Sequence, residues 1–550
     1  MATVLAAAGS IAWAALSPQR ADASVAASTD LTRAEEAPSP APWPEMSAGE
    51  GSWSAPGPDL TVTRPRLAWG PSVDEWTAAL ATARELSVEQ AAGQVIVAQW
   101  SSPDADGLAQ LVEELGLGGV IVMRGAVDDA AQVKELTAAA RSAGGARDWG
   151  TIVSVDEEGG TVSRLRGVVP GMPGFMAAGA ARDEAAVTDA YAQQAVDLRG
   201  LGFTMDFAPV ADVTRGLSDP VIRSRAAGDD PEVVAATVNA AVDGYIAGGV
   251  APVVKHFPGH GSVTVDSHVG LPVQARSIES LVATDLAPFA SAIDEGAPAV
   301  MMAHVAVEDW GSLPASLNPR AYVYLRETLG FTGLAVTDAL NMGAIQNDHE
   351  PGEAAVAALK AGADVLLLPP EPEAARDAIV DAVEDGDLTR ERLTEAAARV
   401  ILAGRWQAGL ESVADAGASY AHRLAVAGAT VAAKSCGGSF VGTQVSISGG
   451  TEGNRAALGA ALAERGVSVG GAGTSIALAG SDDSSPRADV VVALRGPWGL
   501  EDADADVYVG LYGTSGSSMN ALADVLTGAA SPGGTWPVDL DLPVPVCGSG

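Results

Sequence analysis

The sequence has few cysteines, few basic residues and few long apolar runs. Cys436 and Cys547 are its two cysteines in 550 residues, too few for a disulfide-rich scaffold or a cysteine-ligated metal cluster. They could pair if the protein is exported, or remain two thiols. Lysine and arginine total 32 against 69 aspartates and glutamates, which gives a formal net charge of −37. This charge argues against nucleic acids and anionic membranes as partners.

Apolar runs beyond the first residues are short and are broken by charged residues, glycine or proline, so no membrane span is predicted there. The first residues differ, because Val4 to Leu16 is apolar and alanine-rich and Ala21-Asp22-Ala23 fits a small-x-small cleavage site. We therefore expect residues 1–23 to be an export signal, although no basic segment precedes the apolar stretch. No cysteine follows that stretch, so a lipid anchor is not predicted.

Residues 24–75 are rich in proline, alanine, serine and acidic side chains. This composition is typical of a linker or a disordered arm. Three tryptophans in the segment, Trp43, Trp53 and Trp69, could dock onto the folded body.

Residues 76–412 alternate between short apolar segments and alanine-rich helical segments, of which Asp183–Arg199 is a clear helix. Ser87 and Gln90 form a capping-box pattern at the start of the first predicted helix. Eight βα units of this kind are typical of a (β/α)8 TIM-like barrel, although an open two-layer sheet gives the same alternation. The predicted strands are Val95–Gln99, Val120–Met123, Thr151–Val155, Thr204–Pro209, Pro252–His256, Ala299–His304, Gly333–Thr337 and Ala363–Leu368.

Polar side chains stand at the ends of several predicted strands. Asp156 follows the third strand and Asp206 lies in the fourth, which leads to Asp212. His304 and Asp338 end the sixth and seventh strands. In a barrel these ends meet at one mouth, where active sites form, so we expect the polar residues to converge.

The pattern changes near residue 419, where short strands separated by glycine-rich turns follow a helix around His422–Lys434. Residues 419–543 therefore predict a second, smaller α/β sandwich domain, so the whole chain is predicted to be of the α/β class. Its predicted strands are Phe440–Val441, Val445–Ser448, Ile476–Ala479, Val490–Leu494 and Val507–Leu511.

The fifth predicted strand leads into a loop that holds three of the six histidines, His256, His260 and His268. Asp266 lies two residues before His268, where its carboxylate could orient an imidazole that moves protons. The i,i+4 spacing of His256 and His260 would suit zinc on a helix. Proline and glycine stand between them and argue against a helix, so no metal site is predicted.

Three motifs together resemble family 3 glycoside hydrolases, in particular the β-N-acetylglucosaminidase branch. The run from Lys255 to His268 resembles the signature loop of that family, and Val336 to Ile345 resembles its nucleophile segment. The turn from Asp156 to Arg164 resembles its sugar-binding turn, with Thr161 where relatives often have a basic residue. Tyr512-Gly513-Thr514 and Gly533 to Val538 resemble parts of its C-terminal domain.

The resemblance implies a role for each residue at these positions. Asp338 would be the nucleophile of a retaining glycosidase, and His268, oriented by Asp266, would be the acid/base. Arg225 occupies the place of a sugar-binding arginine, although Arg223 two residues earlier could take that register. The sugar-binding residues would be Asp156, Arg164, Arg225, Lys255 and His256.

The function expected from this resemblance is an exported, exo-acting β-N-acetylglucosaminidase that acts without a cofactor on wall muropeptides or chitin fragments. Three alternatives remain open: a β-glucosidase or β-xylosidase of the same family, a phosphorylase that uses the same site, and a non-catalytic glycan-binding wall protein. The Asp-Ser-His triplet favours the acetamido sugar. A binding protein would need no nucleophile. The sequence leaves the oligomeric state open.

Overall fold

The computed structural model describes residues 66–145, 147–412, 417 and 419–547. The predicted export signal, most of the predicted linker, Trp43 and Trp53 lie outside these residues. All described residues belong to one compact unit, so the boundary between the two expected domains remains a prediction. Within the described ranges, no helix has both the length and the hydropathy needed to cross a membrane.

Eight short parallel strands form a curled sheet in the first part of the chain. Strand β1 pairs with both β2 and β8, and a bridge from Val336 to Val365 brings β7 beside β8. The sheet therefore closes on itself, as a TIM-like barrel does and an open sheet does not. The strands are β1 Ile96–Trp100, β2 Gly119–Val122, β3 Ile152–Val155, β4 Met205–Asp206, β5 Val254–Phe257, β6 Ala299–Met302, β7 Leu334–Thr337 and β8 Leu366–Leu367.

All eight strands overlap their predicted positions, with ends that differ by at most three residues, but β4 and β8 are only two residues long. A separate segment, Ala251–Pro252, precedes β5 and pairs with β4. Strands β2, β3, β6 and β7 are buried along their whole length. They read as continuous apolar runs because both of their faces are covered, one by the barrel interior and the other by helices.

Helices follow most of the barrel strands and pack outside them. The helices of the first part are α1 Val73–Glu85, α2 Val88–Gln94, α3 Ala105–Leu115, α4 Ala130–Ser142, α5 Phe175–Ala181, α6 Glu184–Gly200, α7 Pro231–Gly248, α8 Ile278–Val282, α9 Ala287–Asp294, α10 Pro319–Val323, α11 Gly343–Gln346, α12 Pro351–Ala361, α13 Pro372–Glu384 and α14 Arg390–Ala408. Helix α6 is the predicted Asp183–Arg199 helix, with Asp183 as its N-cap.

The start of the folded region differs from the prediction. The capping box of Ser87 and Gln90 is confirmed, but it opens the second helix, because α1 begins at Val73 inside the predicted linker. Ser72 caps α1 by accepting a hydrogen bond from the backbone of Glu75. Trp69 is buried and packs edge-on against the ring of Trp406, with 5.2 Å between ring centroids. The linker prediction was therefore wrong for its last residues, because the tryptophan and the capping box start folded structure there.

The second part of the chain forms a six-stranded sheet in the order β9-β14-β13-β12-β10-β11, in which only β9 is antiparallel to its neighbour. Helices α15 Tyr420–Gly428, α16 Glu452–Glu464 and α17 Gly516–Thr527 accompany it. The strands are β9 Thr430–Ala433, β10 Gln444–Gly449, β11 Ser468–Val469, β12 Thr474–Ala479, β13 Val490–Ala493 and β14 Val507–Gly510.

Two details of this sheet correct the prediction. The helix expected to reach Lys434 ends at Gly428, and the buried segment Thr430–Ala433 is a strand. The predicted strand Phe440–Val441 is not one, because the N–H of Phe440 donates to the carbonyl of Leu526 at the end of α17. The open question about the cysteines is answered by a disulfide between Cys436 and Cys547.

The family-like segments of the second part lie where it packs on the barrel part. The carbonyl of Tyr512 accepts a hydrogen bond from the N–H of Gly174 at 2.7 Å. The N–H of Thr535 donates to the carbonyl of Ala180 at 2.8 Å. These backbone contacts hold the second sheet beside α5, near the loops that leave β3 and β4.

Candidate functional site

A cavity of about 300 Å³ opens at the carboxyl ends of the barrel strands. Seven of the eight predicted site residues line it, and the eighth, Asp266, touches the lining residue His268. The lining residues all lie between Gln99 and Leu368. The barrel part alone therefore forms this cavity. Of the polar strand-end residues expected to converge, Asp156 and Asp338 line it, whereas Asp206, Asp212 and His304 do not.

Asp338 directly follows β7, and its N–H donates to the carbonyl of Met302 on β6 at 2.9 Å. Its Oδ1 accepts the N–H of Ala339 at 2.8 Å. Burial by itself raises the pKa of Asp338, but the imidazoles of His304 and His256 and the Ala339 N–H outweigh it and hold the pKa below its usual value. At neutral pH this side chain is a carboxylate that faces the cavity.

His304, at the end of β6, lies behind this segment rather than in the cavity lining. Burial lowers the pKa of its imidazole. Its Nε2 is 2.9 Å from the carbonyl oxygen of Ala339, and its Nδ1 is 2.7 Å from the hydroxyl of Ser316. A neutral ring that donates from Nε2 and accepts at Nδ1 satisfies both contacts, so His304 supports the segment that carries Asp338.

His268 and Asp266 form a pair on an exposed loop at the cavity rim. The Nδ1 of His268 is 2.8 Å from Asp266 Oδ1, and the same oxygen accepts the backbone N–H of His268 at 2.8 Å. The two side chains are 62% and 40% exposed. Burial opposes ionisation of Asp266, but its hydrogen bonds with His268 outweigh burial and lower the pKa of the carboxyl overall. The carboxylate therefore fixes Nδ1 as the protonated nitrogen and leaves Nε2 free to exchange a proton.

Glu158 is the centre of a buried ion network in the cavity wall. Its two carboxylate oxygens accept hydrogen bonds from Arg225 Nε and Nη2 at 2.9 and 2.8 Å. One of them is also 2.6 Å from Lys255 Nζ. Burial alone raises the pKa of Glu158, but the two cations outweigh it and hold the pKa far below its usual range. This carboxylate therefore keeps both cations charged and fixed in place.

Asp156 lies on the cavity side of the same network. Its Oδ1 accepts a hydrogen bond from Lys255 Nζ at 2.9 Å, and its Oδ2 is 3.5 Å from Arg164 Nη2. Burial lowers the pKa of Lys255, but Asp156 and Glu158 outweigh burial and raise it overall. Anionic and cationic groups thus alternate along one wall, an arrangement that can bind the hydroxyls of a sugar as both donors and acceptors.

A second buried carboxylate organises the two deeper histidines. Asp212 Oδ2 is 2.7 Å from His256 Nδ1, and Asp212 Oδ1 accepts the backbone N–H of His260 at 2.6 Å. The Nε2 of His256 is 3.4 Å from Arg225 Nη2. The Nε2 of His260 is 2.8 Å from the hydroxyl of Ser267. The two rings that suggested zinc by their spacing thus take part in separate hydrogen bonds.

The structure separates the two candidate arginines. Arg225 lines the cavity, whereas Arg223 points away from it to Asp482 of the second part, with 3.2 Å between Nη1 and Oδ2. Asp219 shapes the loop that leads to them by accepting the backbone N–H groups of Val221, Ile222 and Arg223 at 2.8–2.9 Å. The register that places Arg225 at the site is therefore the observed one.

Sequence reasoning missed Glu158, and it noticed Asp212 and His260 without assigning them to the site. The signal that could have found Glu158 is its spacing from Asp156. Alternate residues of an extended segment point to the same side, so Glu158 is expected to face the cavity as Asp156 does. Asp156 and Glu158 share the cavity side, while Glu157 between them points away and accepts the N–H groups of Arg164 and Leu165. Gln99 and Asn341, which also line the cavity, carry no comparable signal.

Comparison with known proteins adds to this geometry. The model of the Glycosyl hydrolase family 3 N terminal domain matches residues 87–403. Over 275 residues the chain is 38% identical to a Beta-hexosaminidase of Xylella fastidiosa (strain 9a5c), covering 49% of this chain and 80% of that protein. Over 258 residues it is 38% identical to Beta-hexosaminidase LpqI of Mycobacterium tuberculosis (strain ATCC 25618 / H37Rv), covering 45% and 66% of the two chains.

Solved structures resemble the fold over a longer span. A glycoside hydrolase family 3 beta-N-acetylglucosaminidase from Paenibacillus sp. str. FPU-7 superposes with a TM-score of 0.75 and 29% identity, covering 84% of this chain and all of that one. The structure of M tuberculosis LpqI superposes with a TM-score of 0.56 and 33% identity, covering 59% of this chain and 96% of that one. The first of these similarities extends beyond the barrel part.

Proposed function

The chain belongs to glycosyl hydrolase family 3 and is a glycoside hydrolase, and we propose that it removes terminal β-linked N-acetylglucosamine with retention of configuration. The observation that carries this proposal is the presence in one cavity of a buried carboxylate, Asp338, and an imidazole, His268, paired with Asp266. Retaining glycosidases need a nucleophile and a separate acid/base. The names of the similar proteins support the acetamido sugar as the substrate.

In the first step, Asp338 attacks the anomeric carbon as the bond from that carbon to the leaving oxygen breaks. His268 gives its Nε2 proton to the leaving oxygen and becomes neutral. Since Asp338 is a carboxylate at neutral pH, it needs no activation before the attack. The product of this step is a covalent glycosyl ester with Asp338.

In the second step, neutral His268 accepts a proton from water at Nε2 while the water oxygen attacks the anomeric carbon. The bond to Asp338 breaks, and both catalytic groups return to their starting states. Asp266 stabilises the imidazolium and keeps Nδ1 protonated throughout. The two inversions retain the configuration of the sugar.

The cavity supports an exo mode of action. Its volume, about 300 Å³, is at the lower end for small-ligand sites and suits one sugar ring rather than a chain. Asp156, Arg164, Lys255, His256 and Arg225 line the cavity and would bind the hydroxyls and the N-acetyl carbonyl of that sugar. An aglycone would then leave past the exposed rim that carries His268.

We further propose that the enzyme works outside the cytoplasm, on wall muropeptides or chitin fragments. The disulfide between Cys436 and Cys547 supports export, because such bonds persist mainly in oxidising compartments. Fractionation of the native host should find the protein and its disulfide in the envelope or the medium. A reduced protein confined to the cytoplasm would contradict this proposal.

One assay tests the function as a whole. Nitrophenol release should be rapid from the β-N-acetylglucosaminide, slow from the β-glucoside and independent of added phosphate. Asp338→Asn should lower turnover on the order of 10³-fold or more while the fold is retained. Faster cleavage of the glucoside, or formation of a sugar phosphate, would contradict the proposed activity.

A further inference from the structure

Ser267 differs from its two neighbours in the loop that carries the acid/base. Asp266 and His268 have side chains that are 40% and 62% exposed, whereas Ser267 is only 1% exposed. Its side chain thus points into the protein while the two flanking side chains point toward the rim. A buried hydroxyl needs a hydrogen-bond partner, since leaving it without one costs about 1–3 kcal/mol.

That partner is His260, whose Nε2 lies 2.8 Å from Ser267 Oγ. His260 is itself buried, at 2% exposure. Its backbone N–H is fixed by Asp212, the carboxylate that also holds the ring of His256. The contact therefore joins the exposed loop to the rigid wall that would bind the sugar.

A second set of contacts joins the same loop to the segment that follows Asp338. The carbonyl of Ser267 accepts the N–H of Ala344 at 3.1 Å, and the carbonyl of His268 accepts the N–H of Gly343 at 3.2 Å. Gly343 has no room for a side chain, because a Cβ atom there would lie 2.6 Å from the carbonyl oxygen of His268. These backbone contacts set the distance of the loop from the nucleophile segment. The Ser267 side chain adds a hydrogen bond to His260.

We propose that Ser267 and His260 are positioning residues, which together hold His268 where its Nε2 can reach the leaving oxygen of the sugar. The proposal rests on the proposed function, because it assumes that His268 is the acid/base. The ring of His260 can serve as a fixed anchor because it is neutral at neutral pH, since burial lowers its pKa to about 4. Its other nitrogen, Nδ1, is buried and has no hydrogen-bond partner among the described residues, so Ser267 makes the side-chain hydrogen bond of this ring.

The expected defect on removing this anchor is selective. Misplacement of the general acid slows the reaction most when the leaving oxygen is basic and must be protonated as it departs. A nitrophenolate departs with little protonation, so its cleavage should be slowed less. Displacement by about 1 Å can cost on the order of 100-fold in rate. Ser267 also lines the cavity, but its hydroxyl bonds to His260 and not to the ion network around Glu158, so binding of the sugar itself should change little.

The test uses Ser267→Ala, assayed with two N-acetylglucosaminides that share the sugar and differ in the leaving group. The kcat/KM for an alkyl glycoside should fall about 10-fold or more, and that for the nitrophenyl glycoside by less than about threefold. Inhibition by free N-acetylglucosamine should not change. Ser267→Thr keeps the hydroxyl and should restore most of the alkyl glycoside activity. An equal loss on both substrates, or no loss on either, would overturn the proposal.

Ser262→Ala is the matched control. Ser262 lies in the same loop but contacts Asp285 and Gln274, so its loss should leave the ratio of the two kcat/KM values unchanged. The same ratio change in this variant would mean general loosening of the loop and would contradict a specific anchor. His260→Ala should show the Ser267→Ala pattern, and combining the two changes should add little, because both remove one contact.

The assays distinguish a failure of the proposed role of Ser267 and His260 from a failure of the proposed activity. One outcome is that the wild-type enzyme cleaves the N-acetylglucosaminides while Ser267→Ala loses the same activity on both. In that case Ser267 does not position His268, and the proposed activity still holds. If the wild-type enzyme does not cleave them at all, the proposed function has failed. If His260→Ala does not fold, Ser267→Ala and Ser267→Thr still decide the question.

Discussion

At the scale of single residues, His268 is the group whose role is most open to a direct kinetic test. His268→Ala should slow the cleavage of alkyl N-acetylglucosaminides by on the order of 10²-fold or more, because general acid catalysis contributes most to poor leaving groups. Nitrophenyl glycosides should form the glycosyl ester almost normally but hydrolyse it slowly. The measurement is pre-steady-state release of nitrophenol, which should show a burst in the variant.

Azide provides the control for that assignment. It attacks without deprotonation, so it should restore turnover of the nitrophenyl glycoside by His268→Ala and yield a β-glycosyl azide of retained configuration. Asp266→Asn should give a milder form of the same defect, since the imidazole remains and only its orienting charge is lost. Equal slowing of good and poor leaving groups, without azide rescue, would make His268 a binding residue.

The sequence indicates a functional residue when its neighbours along the chain form a recognisable motif, and it fails when the role depends on a contact with a distant residue. Asp338, His268 and Lys255 belong to motifs in which neighbouring residues carry the signal. Glu158 acts through Arg225, which is 67 positions away, so its role depends on a contact across space. The spacing of His256 and His260 suggested a metal, but the fold directs their rings to Asp212 and Ser267.

At the scale of elements, the loop that carries Arg225 depends on the second part of the chain. Asp482 binds Arg223 across the contact between the parts and also accepts the N–H of Gly496 at 2.7 Å. Asp482→Asn keeps the second bond and removes the charge. We expect KM to rise about threefold to tenfold with little change in kcat, since the partly exposed pair contributes about 1 kcal/mol.

The control for that measurement is Lys434→Gln. It breaks an exposed ion pair with Asp506 in the second part, where Nζ and Oδ1 are 2.6 Å apart. Michaelis–Menten kinetics of this variant should match those of the wild type. An unchanged KM in Asp482→Asn would show that the loop keeps its shape without the ion pair between Arg223 and Asp482.

Strand β4 carries a buried acid that gives a pH dependence of stability. Asp206 accepts hydrogen bonds from the N–H of Glu157 and the hydroxyl of Tyr245, and burial raises its pKa to about 8. The folded protein keeps this proton up to about pH 8, while the unfolded chain releases it near pH 4. The free energy of unfolding contributed by Asp206 therefore falls as the pH rises through this range.

Asp206→Asn should remove that slope. The amide matches the neutral acid in shape and can keep both hydrogen bonds, so the variant should lose less stability than the wild type between pH 5 and pH 8. The difference is expected to be a few kcal/mol. Denaturant unfolding at both pH values measures it, and parallel pH dependences in the two proteins would show that Asp206 is ionised in the fold.

Element positions were predictable to different degrees in the two parts. The barrel strands are buried apolar runs bounded by helices, so the alternation of apolar and helical segments along the sequence located them. The helix expected to reach Lys434 ends at Gly428, and Thr430–Ala433 pairs with β14 instead. Gly428 packs against the backbone of Ala177, which leaves no room for a Cβ atom. Such a close approach depends on the tertiary contact between the two parts, and no local pattern reports it.

At the scale of the whole molecule, the disulfide joins the segment after β9 to the end of the described chain, 111 residues away. Closing a loop of this length stabilises the folded state by about 4–5 kcal/mol in the chain-entropy description. Replacing both cysteines by serine should therefore lower the Tm by several degrees. Activity at 25 °C should persist, because the cavity is lined by residues before 369. Calorimetry with an activity assay checks both, and an unchanged Tm would contradict the expected stabilisation.

We propose that catalysis by this glycoside hydrolase passes through a covalent ester between N-acetylglucosamine and Asp338. The direct measurement is mass spectrometry of the enzyme after reaction with a 5-fluoro glycosyl fluoride of N-acetylglucosamine, whose glycosyl ester hydrolyses slowly. We expect one added sugar per chain, located by peptide mapping on the segment that contains Asp338 and absent from Asp338→Asn. A label on another residue, or catalytic turnover of the reagent by Asp338→Asn, would contradict it.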